Sequence, residues 1–114
     1  MKASEQDPHS LDIREILEEI RAALGDLYKD NLNKIILYGS YSRGEERAES
    51  DIDIAVVLNE SFDLIEEIER IIEVTYDIGL KYGKHLSIRP IYSKEYEDPV
   101  SPFLENVRNE GLIL

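Results

Sequence analysis

The chain has 114 residues, a formal net charge of −12 and no cysteine. This length suits one domain with a single modest core, and the lack of cysteine excludes disulfides, thiolate catalysis and cysteine-ligated zinc. No apolar run approaches the ~20 residues of a membrane span, and the polar N-terminus does not resemble a signal peptide. Acidic residues outnumber basic ones by 25 to 13, which disfavours nucleic-acid binding. These properties predict a cytoplasmic protein with an acidic surface.

The first elements are predicted to be scaffold. Residues 1–9 are predicted to form a flexible tail, and residues 10–114 a single domain. Ser10 is the expected cap of a helix over residues 10–27, and a turn at residues 30–33 leads into a short buried strand at residues 35–38. The apolar residues of this helix recur with helical spacing: Ile13, Ile16, Leu17, Ile20, Leu24 and Leu27.

The stretch from Gly39 to Asp53, GSYSRGEERAESDID, is the most informative part of the chain. It is followed by the apolar run IAVVL, so Asp51 and Asp53 open a second strand. Residues two apart in a strand share one face and lie roughly 6.5–7 Å apart, so both carboxylates project side by side while Ile52 and Ile54 point to the other face. Two such carboxylates can hold a hard cation such as Mg²⁺.

The beginning of this stretch predicts an anion-binding turn. Gly39 permits a sharp turn and the close approach of a ligand. Ser40 is expected to cap a helix over residues 41–48, whose first amides would face an anion. Arg43 would add a positive charge beside it. The glutamates at 45, 46 and 49 are expected on a solvated face of this helix.

The second half of the chain predicts two more helices and a third strand. Ser61 is the expected cap of a long helix over residues 62–82, and Ser101-Pro102 starts a last helix that Gly111 ends. Alternation in the third strand, residues 86–92, places Ser87 and Arg89 on one face. Its proline favours an edge position. Residues 93–100 are expected to form a loop, and residues 112–114 an apolar terminus packed on the body or on a partner.

The glycine-serine pair, ten residues, and Asp-x-Asp resemble the signature of the DNA polymerase β-like nucleotidyltransferase superfamily. The short chain most resembles the minimal nucleotidyltransferase (MNT) domains that act as antitoxins beside HEPN-domain toxins. The resemblance implies an α+β fold, a small mixed sheet covered by helices. It also implies transfer of AMP from ATP to a tyrosine of the toxin, with Mg²⁺ on Asp51 and Asp53 and the nucleotide on Gly39, Ser40 and Arg43.

The third strand departs from this family pattern. Polymerase-type members place a third carboxylate on this strand, and here Ser87 is the expected occupant, with Arg89 beside it. Asp77, Glu95 or a partner could supply the missing carboxylate, although Asp77 is expected to face solvent and His85 to be an ordinary surface residue. Two alternatives stay open: an antitoxin that acts by binding alone, and a small-molecule nucleotidyltransferase, whose relatives usually carry a further helical domain.

Overall fold

The computed structural model describes the backbone of residues 8–114 and the side chains from residue 13 onward. The helices in this part of the chain are α1 (Pro8–Tyr28), α2 (Ser40–Arg43), α3 (Leu64–Tyr82), α4 (Ser93–Glu97) and α5 (Pro102–Glu110). The strands are β1 (Leu32–Tyr38), β2 (Ile52–Leu58), β3 (Leu86–Tyr92) and β4 (Leu112–Ile113), and a 3₁₀ turn at Lys29–Asn31 joins α1 to β1. None of these helices is long and apolar enough to cross a membrane.

The four strands form one mixed sheet in the order β3-β2-β1-β4. β1 runs antiparallel to β2 and β4, whereas β2 and β3 run parallel. β2 is therefore internal, which explains why its residues 54–58 are fully buried. β3 lies at an edge of the sheet. An edge strand tolerates Pro90, although proline has no backbone N–H to donate to a further strand. The predicted α+β fold with a small mixed sheet is confirmed.

Side-chain alternation along β2 divides the core between the two faces of the sheet. Ile52, Ile54, Val56 and Leu58 belong to the larger cluster, with apolar residues of α1 and α3. Ala55 and Val57 belong to the smaller cluster, which includes residues of α4 and α5. Helices were predicted on the face opposite the aspartates, and α1 and α3 lie there. The layer formed by α4 and α5 on the aspartate face was not predicted.

Several helix ends differ from the prediction. α1 begins at Pro8, two residues before the expected cap, and residues 1–7 of the predicted tail lie outside the described residues. α3 is capped by Asp63, whose Oδ1 accepts the Glu66 amide at 3.0 Å, so the predicted cap at Ser61 is wrong. Ser61 stands two residues too early because the chain stays extended through Asp63, whose φ is −85° and ψ 121°.

The C-terminal segment adds structure to the predicted helix. Ser101 caps α5 by accepting the Leu104 amide at 3.2 Å, and the helix ends before Gly111, as predicted. The predicted loop at residues 93–100 contains α4, which was missed. The apolar terminus forms β4 on the free edge of β1, and the Leu114 amide donates to the Ile35 carbonyl at 2.9 Å. The terminus therefore packs on the body, one of the two predicted outcomes.

Candidate functional site

Gly39 forms the turn between β1 and α2, and it lies against the carboxylate of Asp53. Its φ of 75° and ψ of −154° fall where side chains with a Cβ are strained. A Cβ added to Gly39 would lie 2.3 Å from Asp53 Oδ2. This position therefore requires glycine for two separate reasons, and the backbone of the turn contacts the aspartate directly.

The helix after this turn is shorter than the sequence indicated. α2 ends at Arg43, because Gly44 adopts the left-handed conformation with a φ of 71°. The helix predicted to continue to residue 48 is therefore wrong, and Gly44 itself was the signal for its end. Ser40 is the first residue of α2 and not its cap. Instead Ser42, which sequence reasoning missed, donates its hydroxyl to the Gly39 carbonyl at 2.8 Å and closes the turn.

Asp53 lies at the start of β2, as predicted, whereas Asp51 immediately precedes the strand, which begins at Ile52. Asp53 pairs in register with Tyr38 of β1 on one side and Ser87 of β3 on the other. Burial raises the pKa of Asp53, the negative charge of Asp51 raises it further, and the charge of Arg43 opposes the shift. The two carboxylates are therefore close enough to repel each other, a repulsion that a bound cation would relieve.

His85 comes to the same place from the end of the α3–β3 connection. Its carbonyl accepts the Ile52 amide at 3.0 Å, and its Nδ1 lies 3.3 Å from Asp51 Oδ1. Both side chains are largely exposed, so the pair contributes little stability. The sequence correctly placed His85 at the surface. The contact between His85 and Asp51 could not be predicted from residue spacing, because the parallel pairing of β2 with β3 brings the two residues together.

The third strand brings Ser87 and Arg89 to the aspartate face. Ser87 lies opposite Asp53 in the parallel ladder, where a third carboxylate was looked for. Arg89, two residues further, stacks over the Phe103 ring at 4.6 Å and lines a cavity of about 630 Å³. Within residues 13–114 no group of three or more His, Cys, Asp or Glu side chains is placed to hold a metal ion. Asp77 and Glu95 are both exposed.

Arg43 is held by carboxylates on two sides. Its Nε lies 2.9 Å from Glu45 Oε1, and its Nη1 lies 3.3 Å from Glu110 Oε1 at the end of α5. The hydrogen bond that Arg43 donates to Glu45, and then the one it donates to Glu110, raise the pKa of Arg43. An anion that binds Arg43 would therefore have to compete with these two glutamates.

The sequence of this chain is similar to those of known proteins. A family model that describes a nucleotidyltransferase domain matches residues 17–110. A protein of Methanocaldococcus jannaschii, named as a putative protein adenylyltransferase, is 33% identical over 103 residues, which cover 90% of this chain and 98% of the relative. A second protein of this organism with the same description is 37% identical over 95 residues, covering 76% of this chain and 90% of the relative.

Solved structures share the fold. A toxin-antitoxin crystallised with AMP-PNP superposes with a TM-score of 0.60 at 26% identity, covering 84% of this chain and 69% of the other. A structure described as a putative minimal nucleotidyltransferase superposes with a TM-score of 0.59 at 20% identity, covering 89% of this chain and 94% of the other. At 20% identity, the similarity to the minimal nucleotidyltransferase structure is evidence for the fold alone.

Proposed function

This chain belongs to the nucleotidyltransferase domain family, and on that basis we propose that it transfers AMP from ATP to a hydroxyl group of a protein partner. The observation that carries the proposal is the contact between the Gly39 turn and the Asp53 carboxylate, with Asp51 beside it. The contact supports the proposal because, in it, the Gly39 turn binds the phosphates and the two carboxylates beside it bind the cation. Both are needed to hold a metal–triphosphate complex.

The metal proposal concerns Asp51 and Asp53. Carboxylate oxygens are the ligands that Mg²⁺ prefers, and the effect of the Asp51 charge on the pKa of Asp53 indicates a pair that a cation would stabilise. The two residues therefore fit Mg²⁺. When bound there, the ion would neutralise charge on the triphosphate.

The phosphate proposal concerns Gly39, Ser40 and Arg43. Gly39 lets the phosphates approach the backbone, and Ser40 offers a hydroxyl. Arg43 releases Glu45 and Glu110 and binds a phosphate oxygen instead. The acceptor oxygen then attacks the α-phosphorus of ATP and forms a new phosphate ester. The bond from this phosphorus to the bridging oxygen breaks, pyrophosphate leaves with the electron pair, and the hydroxyl proton is released to water.

The acceptor is proposed to be a tyrosine of a HEPN-type toxin encoded nearby. The acidic surface suits a basic protein better than a nucleic acid. The descriptions of the relatives, protein adenylyltransferases and a toxin-antitoxin with AMP-PNP, support a protein acceptor and ATP as the donor.

One observation favours a second candidate, an antitoxin that neutralises its toxin by binding alone. Ser87 lies in register with Asp53 where polymerase-type relatives carry a carboxylate. With two acidic ligands, metal binding would be weak in the isolated protein, and the chemistry would depend on groups that the partner brings.

The deciding experiment is to incubate the protein with ATP, Mg²⁺ and the product of the adjacent gene, and then to weigh both chains by intact mass spectrometry. We expect a gain of one or more AMP units on the partner, lost in Asp53→Asn. Asp26→Asn, at an exposed aspartate on α1, is the matched control and should transfer AMP like the wild type. A partner that is bound and neutralised without a mass change would instead establish the second candidate.

A further inference from the structure

A row of large apolar side chains lies exposed along α3. Ile65, Ile72, Tyr76 and Leu80, here called the α3 stripe, are exposed to 67%, 53%, 61% and 65%. Their spacing places them on one face of the helix, beside the buried face formed by Ile71, Thr75 and Ile78. The stripe extends over roughly 22 Å at 1.5 Å per residue. Single exposed apolar residues are ordinary, but four large ones along one helix face mark an interaction surface.

The stripe leads to the candidate active site. Its C-terminal half borders a groove of about 510 Å³ that Ile72, Tyr76, Leu80, Leu86 and His85 line. His85, which lines this groove, is the residue whose Nδ1 lies 3.3 Å from Asp51 Oδ1. A molecule seated on the stripe and in the groove would therefore reach the aspartate pair without leaving the surface.

The stripe is bordered by negative charge. Glu69 interrupts the stripe between Ile65 and Ile72. Glu73 and Asp77 lie along its side, and all three acidic residues are exposed. The basic residues of α3 are engaged elsewhere, Arg70 with Glu67 at 3.0 Å and Lys81 with Glu19 at 2.9 Å. The surface thus combines an apolar centre with an acidic border, the arrangement of a protein interface with a charged rim.

We propose that the α3 stripe and its groove are the docking surface for the protein that receives AMP, through an apolar patch of that protein rimmed by Lys and Arg side chains. This inference rests on the proposed function, because it assigns the surface by which that acceptor reaches the site. The negative charge of the border favours a basic protein partner over two other occupants. A second copy of this chain would bring two rows of carboxylates together, and an anionic membrane would be repelled by them.

The test compares binding and transfer in variants of the full chain, with the product of the adjacent gene as the probe. Ile72→Asp/Tyr76→Asp is expected to weaken its binding at least about tenfold by calorimetry, since charge in an apolar interface centre is costly. ATP affinity should stay at the wild-type value. Val100→Asp, the same change at a side chain 86% exposed outside α3, is the matched control and should bind normally. Glu73→Lys/Asp77→Lys should also weaken binding and reduce its dependence on salt.

The outcomes separate this inference from the proposed function. If the wild type transfers no AMP, and the stripe variant binds the probe more weakly than the wild type does, the docking surface is supported and the transfer is overturned. Unchanged binding and transfer in that variant would overturn the docking surface and leave the transfer standing. A wild-type dimer that the variant converts to a monomer would assign the stripe to a second copy, and a melting temperature lowered by several degrees would assign it to this chain's own packing. Either result overturns the inference.

Discussion

Gly39 and Asp53 are in direct contact, and the space between them has no room for a methyl group: a Cβ on Gly39 would lie 2.3 Å from Asp53 Oδ2. The turn that is proposed to hold phosphates and the carboxylate that is proposed to hold the metal are therefore one packed unit. Any change that enlarges Gly39 must displace the carboxylate, because the backbone of β2 is fixed between β1 and β3.

The first prediction is that Gly39→Ala abolishes AMP transfer. The methyl group would push the Asp53 carboxylate from its position, and the positive φ adds strain of about 1–3 kcal/mol. Gly44→Ala is the matched control, since its φ of 71° carries a similar strain but nothing lies within 4 Å of the added Cβ. We expect both variants to be destabilised in urea unfolding, and transfer to be lost in Gly39→Ala alone. Equal transfer by the two variants would contradict the role of the contact.

The second prediction concerns metal and nucleotide. Asp51→Asn and Asp53→Asn each remove a charged ligand from a hard cation, so Mg²⁺-dependent ATP binding should weaken at least about tenfold in either variant. Calorimetry with and without Mg²⁺ measures this. Binding of ATP without metal should change much less, and a double variant that binds ATP·Mg²⁺ like the wild type would exclude this site.

Local pattern was sufficient to predict the strands that carry the site. Alternation placed Asp53 on the face of β2 opposite Ile52 and Ile54, and the bounds of β3, with Ser87 and Arg89 on one face, agree with the structure. These predictions succeeded because successive side chains of a strand point to opposite faces of the sheet. The roles assigned to the site residues stay predictions.

The contacts that sequence reasoning missed are non-local. Arg43 meets Glu110, 67 residues away, and His85 meets Asp51 through the parallel pairing of β2 with β3. Neither contact follows from residue spacing. The length of α2 was missed for a different reason, because Gly44 was not interpreted as a helix stop.

The third prediction is that the glutamates around Arg43 limit nucleotide affinity. Glu45→Gln/Glu110→Gln keeps the size of both side chains but removes the charges that hold Arg43. We expect this variant to bind ATP·Mg²⁺ about two- to fivefold more tightly, since exposed ion pairs are each worth at most about 1 kcal/mol. Glu49→Gln removes an exposed charge from the same loop and is the control. Affinity unchanged in the double variant, or equally raised in Glu49→Gln, would remove Arg43 from the phosphate site.

The fourth prediction concerns stability at high pH. The Tyr28 hydroxyl donates to Glu67 Oε1 at 2.7 Å inside the α1–α3 interface. Burial, followed by the bond to Glu67, raises the pKa of Tyr28. Its contribution to stability is thus complete below the unfolded tyrosine pKa of about 10 and decreases as the pH rises above it.

Urea unfolding as a function of pH measures this contribution. Tyr28→Phe should lower the free energy of unfolding by about 1 kcal/mol at neutral pH. The difference between wild type and variant should shrink as the pH rises above about 10, because the wild type alone must keep this tyrosine protonated in the folded state. A difference that is constant with pH would show that Tyr28 does not titrate differently on folding.

The last prediction is that Ser87→Asp strengthens metal binding. Ser87 lies opposite Asp53 in the parallel ladder, and neighbouring strands are about 4.8 Å apart, so a carboxylate there would come within reach of a cation held by Asp51 and Asp53. We expect affinity for Mg²⁺ or Mn²⁺ to rise at least about tenfold. Ser87→Asn, which has the same shape without the charge, is the matched control. Because a third negative charge without metal adds to the repulsion that raises the pKa of Asp53, the metal-free Ser87→Asp protein should melt at a lower temperature than Ser87→Asn, and added metal should reverse the order. If metal left that order unchanged, Ser87 would not face the cation site.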